Sequence, residues 1–311
     1  MKLSIIIPVY YNEPNLWPLY NDIKEKILCR KDFECEIVMV NDGSKDRSWQ
    51  IMQEIAGQDP RVRIFSLSRN FGSHAAILCG LDYCTGDCAV IKAADLQEPT
   101  ELIINMLESW KKGFNVVLAA RKSRPESVTS TFFSNAYYWL VRKTSFPNMP
   151  KSGFDIYLID RKVIEVIKKL DEKNSALTGQ ILWSGFRTDI VYYDRLERKA
   201  GKSRWTLRKK IRLVSDTLYS FSTFPITFVS AVGAISFFAA LLWAIVILAF
   251  KLAGKIEISG WTSLFIFSLA AFGIIMLTLG IIGNYLWRAF DASRNRPPYI
   301  VEDTGEVESH E

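Results

Sequence analysis

The sequence predicts an α/β chain: a doubly wound, mostly parallel sheet, followed by an interfacial amphipathic helix and two transmembrane helices. Three observations carry that prediction. Short apolar runs alternate with segments of helical spacing over residues 3–119. Charged residues are absent from 224–250 and again from 258–287. Between these regions, residues 207–221 repeat apolar side chains every three or four positions.

The elements follow in order. Leu3-Ser4-Ile5-Ile6-Ile7-Pro8-Val9 is nearly all apolar and ends at proline, the pattern of a strand buried on both faces with a loop after it. Residues 16–28 have helical spacing, and 36–40 read as the second strand, closed by the turn Asn41-Asp42-Gly43-Ser44. A helix at 49–56, a strand at 62–67, a helix at 75–83, a strand at 88–92 and a strand at 115–119 continue the alternation. Ligands of such sheets bind beyond the carboxyl ends of the strands, which is where these turns fall.

With 311 residues, 49% hydrophobic and 23% charged, global disorder is excluded. Residues 1–222 read as soluble protein. Each uncharged stretch exceeds the roughly 20 helical residues that cross a hydrocarbon core of about 30 Å. The alternative is a pair of buried core helices, but those keep a polar face and these stretches have none. The run at 3–9 lacks a basic n-region and a small-residue cleavage site, so the soluble part is expected to stay on the side where it is made. Cys29, Cys35, Cys79, Cys84 and Cys88 form no C-x-x-C pair and read as reduced, structural thiols.

The net charge of +6 is concentrated between Arg195 and Arg212, where Glu197 is the single acid. That block directly precedes the first uncharged stretch; Arg288, Arg294 and Arg296 follow the second, and the intervening loop holds Lys251, Lys255 and Glu257. The positive-inside rule then predicts a multi-pass protein of the cytoplasmic (inner) membrane with both termini in the cytoplasm. Nucleic acid is the rival partner for a basic stripe. Its position beside a span favours the membrane and a lipid phosphate, and no nucleic acid is expected.

Leu207, Ile211, Val214, Leu218 and Phe221 share one helical stripe, with Arg208, Lys209, Arg212 and Asp216 between them. This reads as an interfacial helix, the alternative being a helix packed on its own domain. Phe132-Phe133 and Tyr137-Tyr138-Trp139 with Arg142-Lys143 form a second aromatic and basic stretch, which suits either the headgroup level or the core. The expected organisation is a soluble domain over 1–206, the interfacial helix at 207–222, a helical hairpin at 223–290 and an acidic tail at 291–311, disordered over its last twelve residues.

Two acidic turns follow successive strands. Asp42 can point from the sheet edge toward ribose hydroxyls or a base edge, although Asn-Asp-Gly-Ser is also an ordinary turn. Asp95 and Gln97 offer hard oxygen ligands suited to Mg²⁺ or Mn²⁺, the alternative being a solvated loop. His74 and His310 carry no partner pattern and receive no role.

The segments Ile5-Ile6-Ile7-Pro8-Val9-Tyr10-Tyr11-Asn12-Glu13, Asn41-Asp42-Gly43-Ser44-Lys45-Asp46, Arg69-Asn70-Phe71-Gly72, Asp95-Leu96-Gln97, Asp155-Ile156-Tyr157-Leu158-Ile159-Asp160-Arg161 and Arg198-Lys199-Ala200-Gly201-Lys202-Ser203-Arg204-Trp205 resemble, in order, family-2 glycosyltransferases with the GT-A fold. With two C-terminal spans, the chain is similar to the polyprenyl-phosphate branch, which includes bactoprenol glucosyltransferases and dolichol-phosphate mannose synthases. The resemblance implies inverting transfer of a single hexose from a UDP-sugar to a polyprenyl phosphate, with glucose and undecaprenyl phosphate favoured and a homo-oligomer possible. It implies that Pro8, Tyr10, Glu13 and Asp42 line the nucleotide pocket and that Asp95 and Gln97 hold Mg²⁺ or Mn²⁺ on the diphosphate. Asp155 falls on the acceptor side, and Arg121, Arg198 and Arg204 match cations that meet the lipid phosphate or diphosphate. Ser203 can donate to a phosphate oxygen beside them, so Asp95, Asp155, Arg198 and Arg204 are the expected catalytic set.

Two positions depart from the family pattern. The usual Asp-x-Asp reads Ala93-Ala94-Asp95, preceded by Lys92, which could supply part of the missing charge balance. Tyr157 stands where the family usually has Arg. Two other functions compete: a processive polysaccharide synthase, and a degenerate lipid-binding scaffold suggested by Ala93. Two spans make no pore in one subunit, and Gln180-Ile181-Leu182-Trp183 lacks the Arg of the synthases' Gln-x-x-Arg-Trp motif. Retention of Asp95, Gln97, Arg198 and Arg204 argues against the scaffold.

Overall fold

The computed structural model describes residues 1–122, 138–154, 156–170, 176–196, 207–253 and 260–305. The chain divides into two compact units, Met1–Val214 with Arg296–Glu311, and Ser215–Asn295.

The first unit is the expected doubly wound sheet. Strands β1 (Lys2–Val9), β2 (Glu34–Asn41), β3 (Val62–Leu67) and β4 (Cys88–Ile91) run parallel, with β1 between β2 and β4. Ile5, Ile6 and Ile7 are fully buried, as expected of a central strand of a parallel sheet covered by helices. The helices are α1 (Glu13–Ile23), prolonged by a turn of π-helix (Lys24–Leu28), α2 (Ser48–Gln58), α3 (Ser73–Tyr83), α4 (Leu102–Lys111), α5 (Arg161–Lys169) and α6 (Leu177–Trp183).

Beyond β4 the sheet is mixed. β5 (Val116–Arg121) pairs with β6 (Ile156–Asp160) antiparallel and with β7 (Thr188–Tyr193) parallel, and β6 pairs antiparallel with β4. The order is β7-β5-β6-β4-β1-β2-β3-β8, where β8 is Val301–Asp303. Because β6 is reversed, β5 and β7 run with β1 and end at the same edge as the loops after β1, β2, β3 and β4.

β8 corrects the reading of the tail. The residues expected to be disordered add an antiparallel strand to β3, with Leu67 opposite Val301 and Ser66 opposite Asp303. Ser68 N–H donates to the Ile300 carbonyl at 3.0 Å, and the Tyr299 hydroxyl donates to Asp82. Three residues are too few for a periodic signal, but β3 would otherwise leave an open row of backbone groups at the sheet edge.

The second unit holds the two long apolar helices, α8 (Phe224–Leu252) and α9 (Trp261–Ser293); α7 (Leu207–Phe221) precedes them, and the boundary between the units falls within it. Within them, Phe224–Phe250 and Phe267–Ser293 are each long and apolar enough to cross a membrane, and neither is buried by protein. Ile235, Leu242, Leu252 and Leu286 lie 65–80% exposed, which excludes the buried-core alternative. Arg288, expected only as a cytoplasmic flank, bridges Asp216 at 2.6 Å and donates to Ser220 Oγ at 3.2 Å.

Candidate active site

The carboxyl edge of the sheet is assembled by loops that brace one another. β1 ends at Val9 opposite Asn41, the last residue of β2. Tyr11 takes a left-handed backbone (φ +53°), and its N–H donates to Ser44 Oγ at 3.0 Å. Asn12 N–H donates to Ser48 Oγ at 3.1 Å, and Ser44 N–H donates back to Asn41 Oδ1 at 3.1 Å. Glu13 opens α1 and accepts Arg47 N–H at 3.1 Å. Pro8, Tyr10 and Glu13 are all half-buried along this rim, so the structure brings the expected nucleotide residues to one edge.

Asp42 is 3% exposed, and its carboxylate faces the loop after β3. It accepts Phe71 N–H at 2.7 Å, Gly72 N–H at 3.0 and 3.2 Å, and Asn70 Nδ2 at 3.0 Å. Gly43 makes this approach feasible: at φ +66°, a Cβ there would stand 2.5 Å from the Arg69 carbonyl carbon. Asp42 therefore organises the 69–72 loop. Ser44, Ser48 and Asn70 are the residues the sequence reading missed; the first and last sit inside the motifs it quoted.

The turn after β4 carries Asp95, half-buried, and Gln97, 9% exposed. Gln97 N–H leans on Asp95 Oδ1 at 3.4 Å, and Leu96 is left-handed at φ +58°. Arg195, counted in the sequence only as part of a basic block, donates to Gln97 Oε1. The Asp95 carboxylate suits a divalent cation; the Gln97 amide oxygen, expected as a second ligand, is held by a guanidinium. Among the described residues, no three His, Cys, Asp or Glu side chains converge as a metal cluster.

Lys92 departs from expectation. It is 2% exposed, and Nζ donates to the Glu98 carbonyl at 2.9 Å, so it is enclosed beneath the turn and not offered to a diphosphate. Burial pulls its pKa down, while the carboxylates of Glu98, Asp22, Asp95 and Glu101 oppose that fall. Tyr157 is also inside, 2% exposed on β6 opposite Leu118, so it replaces no phosphate-facing cation. Burial pushes its hydroxyl well above the ordinary range.

Arg121 is half-buried at the end of β5, opposite Tyr193 of β7, on the same edge as Asp95. Asp155, Arg198, Ser203 and Arg204 lie outside the described residues. His74, at the start of α3, accepts Leu177 N–H through Nδ1 at 3.2 Å, and burial lowers its pKa to about 4. It is a neutral structural imidazole joining α3 to α6.

Comparisons with known proteins agree with this architecture. The family described as glycosyl transferase family 2 matches residues 4–167. The glycosyltransferase YkcC of Bacillus subtilis (strain 168) is 38% identical over 313 aligned positions, covering 99% of this chain and 96% of its own. The bactoprenol glucosyl transferase of Shigella phage SfV is 34% identical over 304 positions, covering 97% of this chain and 99% of its own. Among solved structures, mannosyl-3-phosphoglycerate synthase from Rubrobacter xylanophilus aligns with a TM-score of 0.48 at 16% identity, over 70% of this chain and 72% of that one. This chain belongs to glycosyl transferase family 2, has the GT-A fold and is a glycosyltransferase.

Proposed function

We propose that the enzyme transfers a single hexose, glucose preferentially, from a UDP-sugar to a polyprenyl phosphate, preferentially undecaprenyl phosphate, with inversion at the anomeric carbon. The observation that carries this reading is the full-length similarity to bactoprenol glucosyl transferases, which extends through both apolar helices as well as the sheet. A soluble sugar acceptor would require neither helix. The reaction takes place at the cytoplasmic membrane face, and both termini are cytoplasmic.

The donor nucleotide lies along Pro8, Tyr10, Glu13 and Asp42, and its diphosphate reaches toward Asp95. A divalent cation, Mg²⁺ or Mn²⁺, bound at Asp95 would supply neutralising charge for the departing diphosphate. Arg121, Arg198 and Arg204, with Ser203, grip phosphate oxygens. One oxygen of the lipid phosphate attacks the anomeric carbon as the bond from that carbon to the UDP β-phosphate oxygen breaks, and UDP leaves with the electron pair. The acceptor is already anionic near pH 7, so no side chain has to remove a proton, and Asp155 orients the sugar or acceptor.

The test is a donor screen on the purified full-length enzyme with undecaprenyl phosphate. Formation of a hexosyl lipid from UDP-glucose, faster than from UDP-galactose or other nucleotide sugars, is the expected result. No lipid-linked product from any donor would overturn the acceptor assignment.

A further inference from the structure

The turn after β4 holds a backbone conformation its residues resist. Leu96 sits at φ +58°, in the left-handed region that a residue with a Cβ rarely adopts. Such a turn persists only where its surroundings over-determine it. Two ties come from the segment after β7: Leu196 N–H donates to the Gln97 carbonyl at 2.9 Å, and Arg195 reaches Gln97 Oε1. The third comes from beneath, where Lys92 Nζ donates to the Glu98 carbonyl at 2.9 Å.

That third tie is costly in isolation. An ammonium 2% exposed needs anionic neighbours to remain charged. Here Glu98, Asp22, Asp95 and Glu101 all act on it. Asp22 in turn accepts the Thr100 hydroxyl and pairs with Lys26 at 2.7 Å, and Lys26 also reaches Glu101 at 2.8 Å. The end of α1 and its π-turn are thus stitched to residues 98–101 around one buried cation. This arrangement accompanies the loss of the first acid of the pair at Ala93.

We infer that Lys92 is a positioning residue for sugar transfer: its buried ammonium, fastened to the Glu98 carbonyl, holds the left-handed turn that presents Asp95. It touches neither donor nor acceptor. The inference rests on the proposed role of Asp95 at the diphosphate, so its test has one arm that needs no ligand.

In the first arm, amide hydrogen exchange is followed in the metal-free, full-length protein in detergent. Lys92→Met should speed exchange over residues 95–98 by at least about tenfold and leave residues 36–41 of β2 unchanged. In the second arm, Mn²⁺ is titrated by electron paramagnetic resonance with UDP present. Positioning predicts Mn²⁺ binding weaker by about tenfold in Lys92→Met, as for loss of a group that supports a ligand. A lysine acting through charge alone would give the opposite sign, because deleting a cation beside Asp95 tightens Mn²⁺ binding. Unchanged exchange over 95–98, or tighter Mn²⁺ binding, overturns the inference. Should the wild-type enzyme bind no Mn²⁺, the metal reading fails and the exchange arm alone decides Lys92. Should Lys92→Met not fold, Lys92→Leu, which likewise removes the donor to the Glu98 carbonyl, is measured against the same two outcomes.

Discussion

Asp42 receives the backbone N–H of Gly72 on both carboxylate oxygens, at 3.2 Å on Oδ1 and 3.0 Å on Oδ2. One side chain after β2 thereby sets the loop after β3. Asp42→Asn keeps the shape but turns one acceptor into a donor facing N–H groups. A charge-assisted bond of this kind contributes about 1.5–3 kcal/mol. UDP affinity, measured calorimetrically, should fall at least about tenfold. Wild-type affinity would mean that Asp42 braces the loop without shaping the pocket.

Asp95→Asn should abolish turnover, and EDTA should do the same to the wild-type enzyme, because the first removes the anionic ligand of the cation and the second removes the cation that neutralises the leaving diphosphate. Initial rates with and without added Mn²⁺ check this. Full activity in EDTA would show that arginines neutralise the diphosphate unaided.

Arg198 and Arg204 flank Gly201 and Ser203 just before the amphipathic α7. If they grip phosphate, Arg204→Ala should cut transfer by roughly 10- to 150-fold while the protein still folds and inserts. Arg204→Lys should recover part of it, since a point charge replaces the guanidinium fork poorly. Wild-type transfer in both Arg198→Ala and Arg204→Ala would move the acceptor site toward Arg121 and Asp155.

Glu36 lies 4% exposed at the opposite edge of the sheet. Burial alone would raise its carboxyl, but bonds from Ser4 Oγ, Thr85 N–H, Lys2 Nζ and Thr85 Oγ1 outweigh it and hold the pKa at about 2. The folded-state value is depressed, so the stabilisation is present above the ordinary value of 4.5 and is lost as pH falls toward 2. Its size is on the order of 3 kcal/mol. Acid titration of tryptophan fluorescence should show Glu36→Gln less stable at neutral pH and less pH-dependent across that window. Parallel curves for variant and wild type would refute the assignment.

Both termini are expected in the cytoplasm, with the short loop between α8 and α9 outside. A cysteine introduced at Ser259 should react with an impermeant maleimide on intact cells. Labelling only after permeabilisation would invert the topology.

The sequence by itself determined the parallel strands, the two apolar helices and the acidic turns, because each is written in local periodicity or in residues next to one another. The run at Leu3–Val9 is short, apolar and closed by proline, the pattern of a buried strand, and no charge interrupts 224–250. Only the tertiary structure decided what depends on residues far apart. β6 reverses between β4 and β5, and β8 closes an edge formed more than two hundred residues earlier, pairings that no short-range pattern encodes. The same holds for side chains whose type was legible but whose direction was not. Lys92 reads as a cation beside a metal turn, yet Nζ lies under Glu98, 2% exposed, among carboxylates contributed by α1 and the turn itself. Gln97 reads as a ligand, yet its amide oxygen meets Arg195 from a segment 98 residues away. Burial and partner choice are set by which elements pack together, and packing is a property of the folded chain.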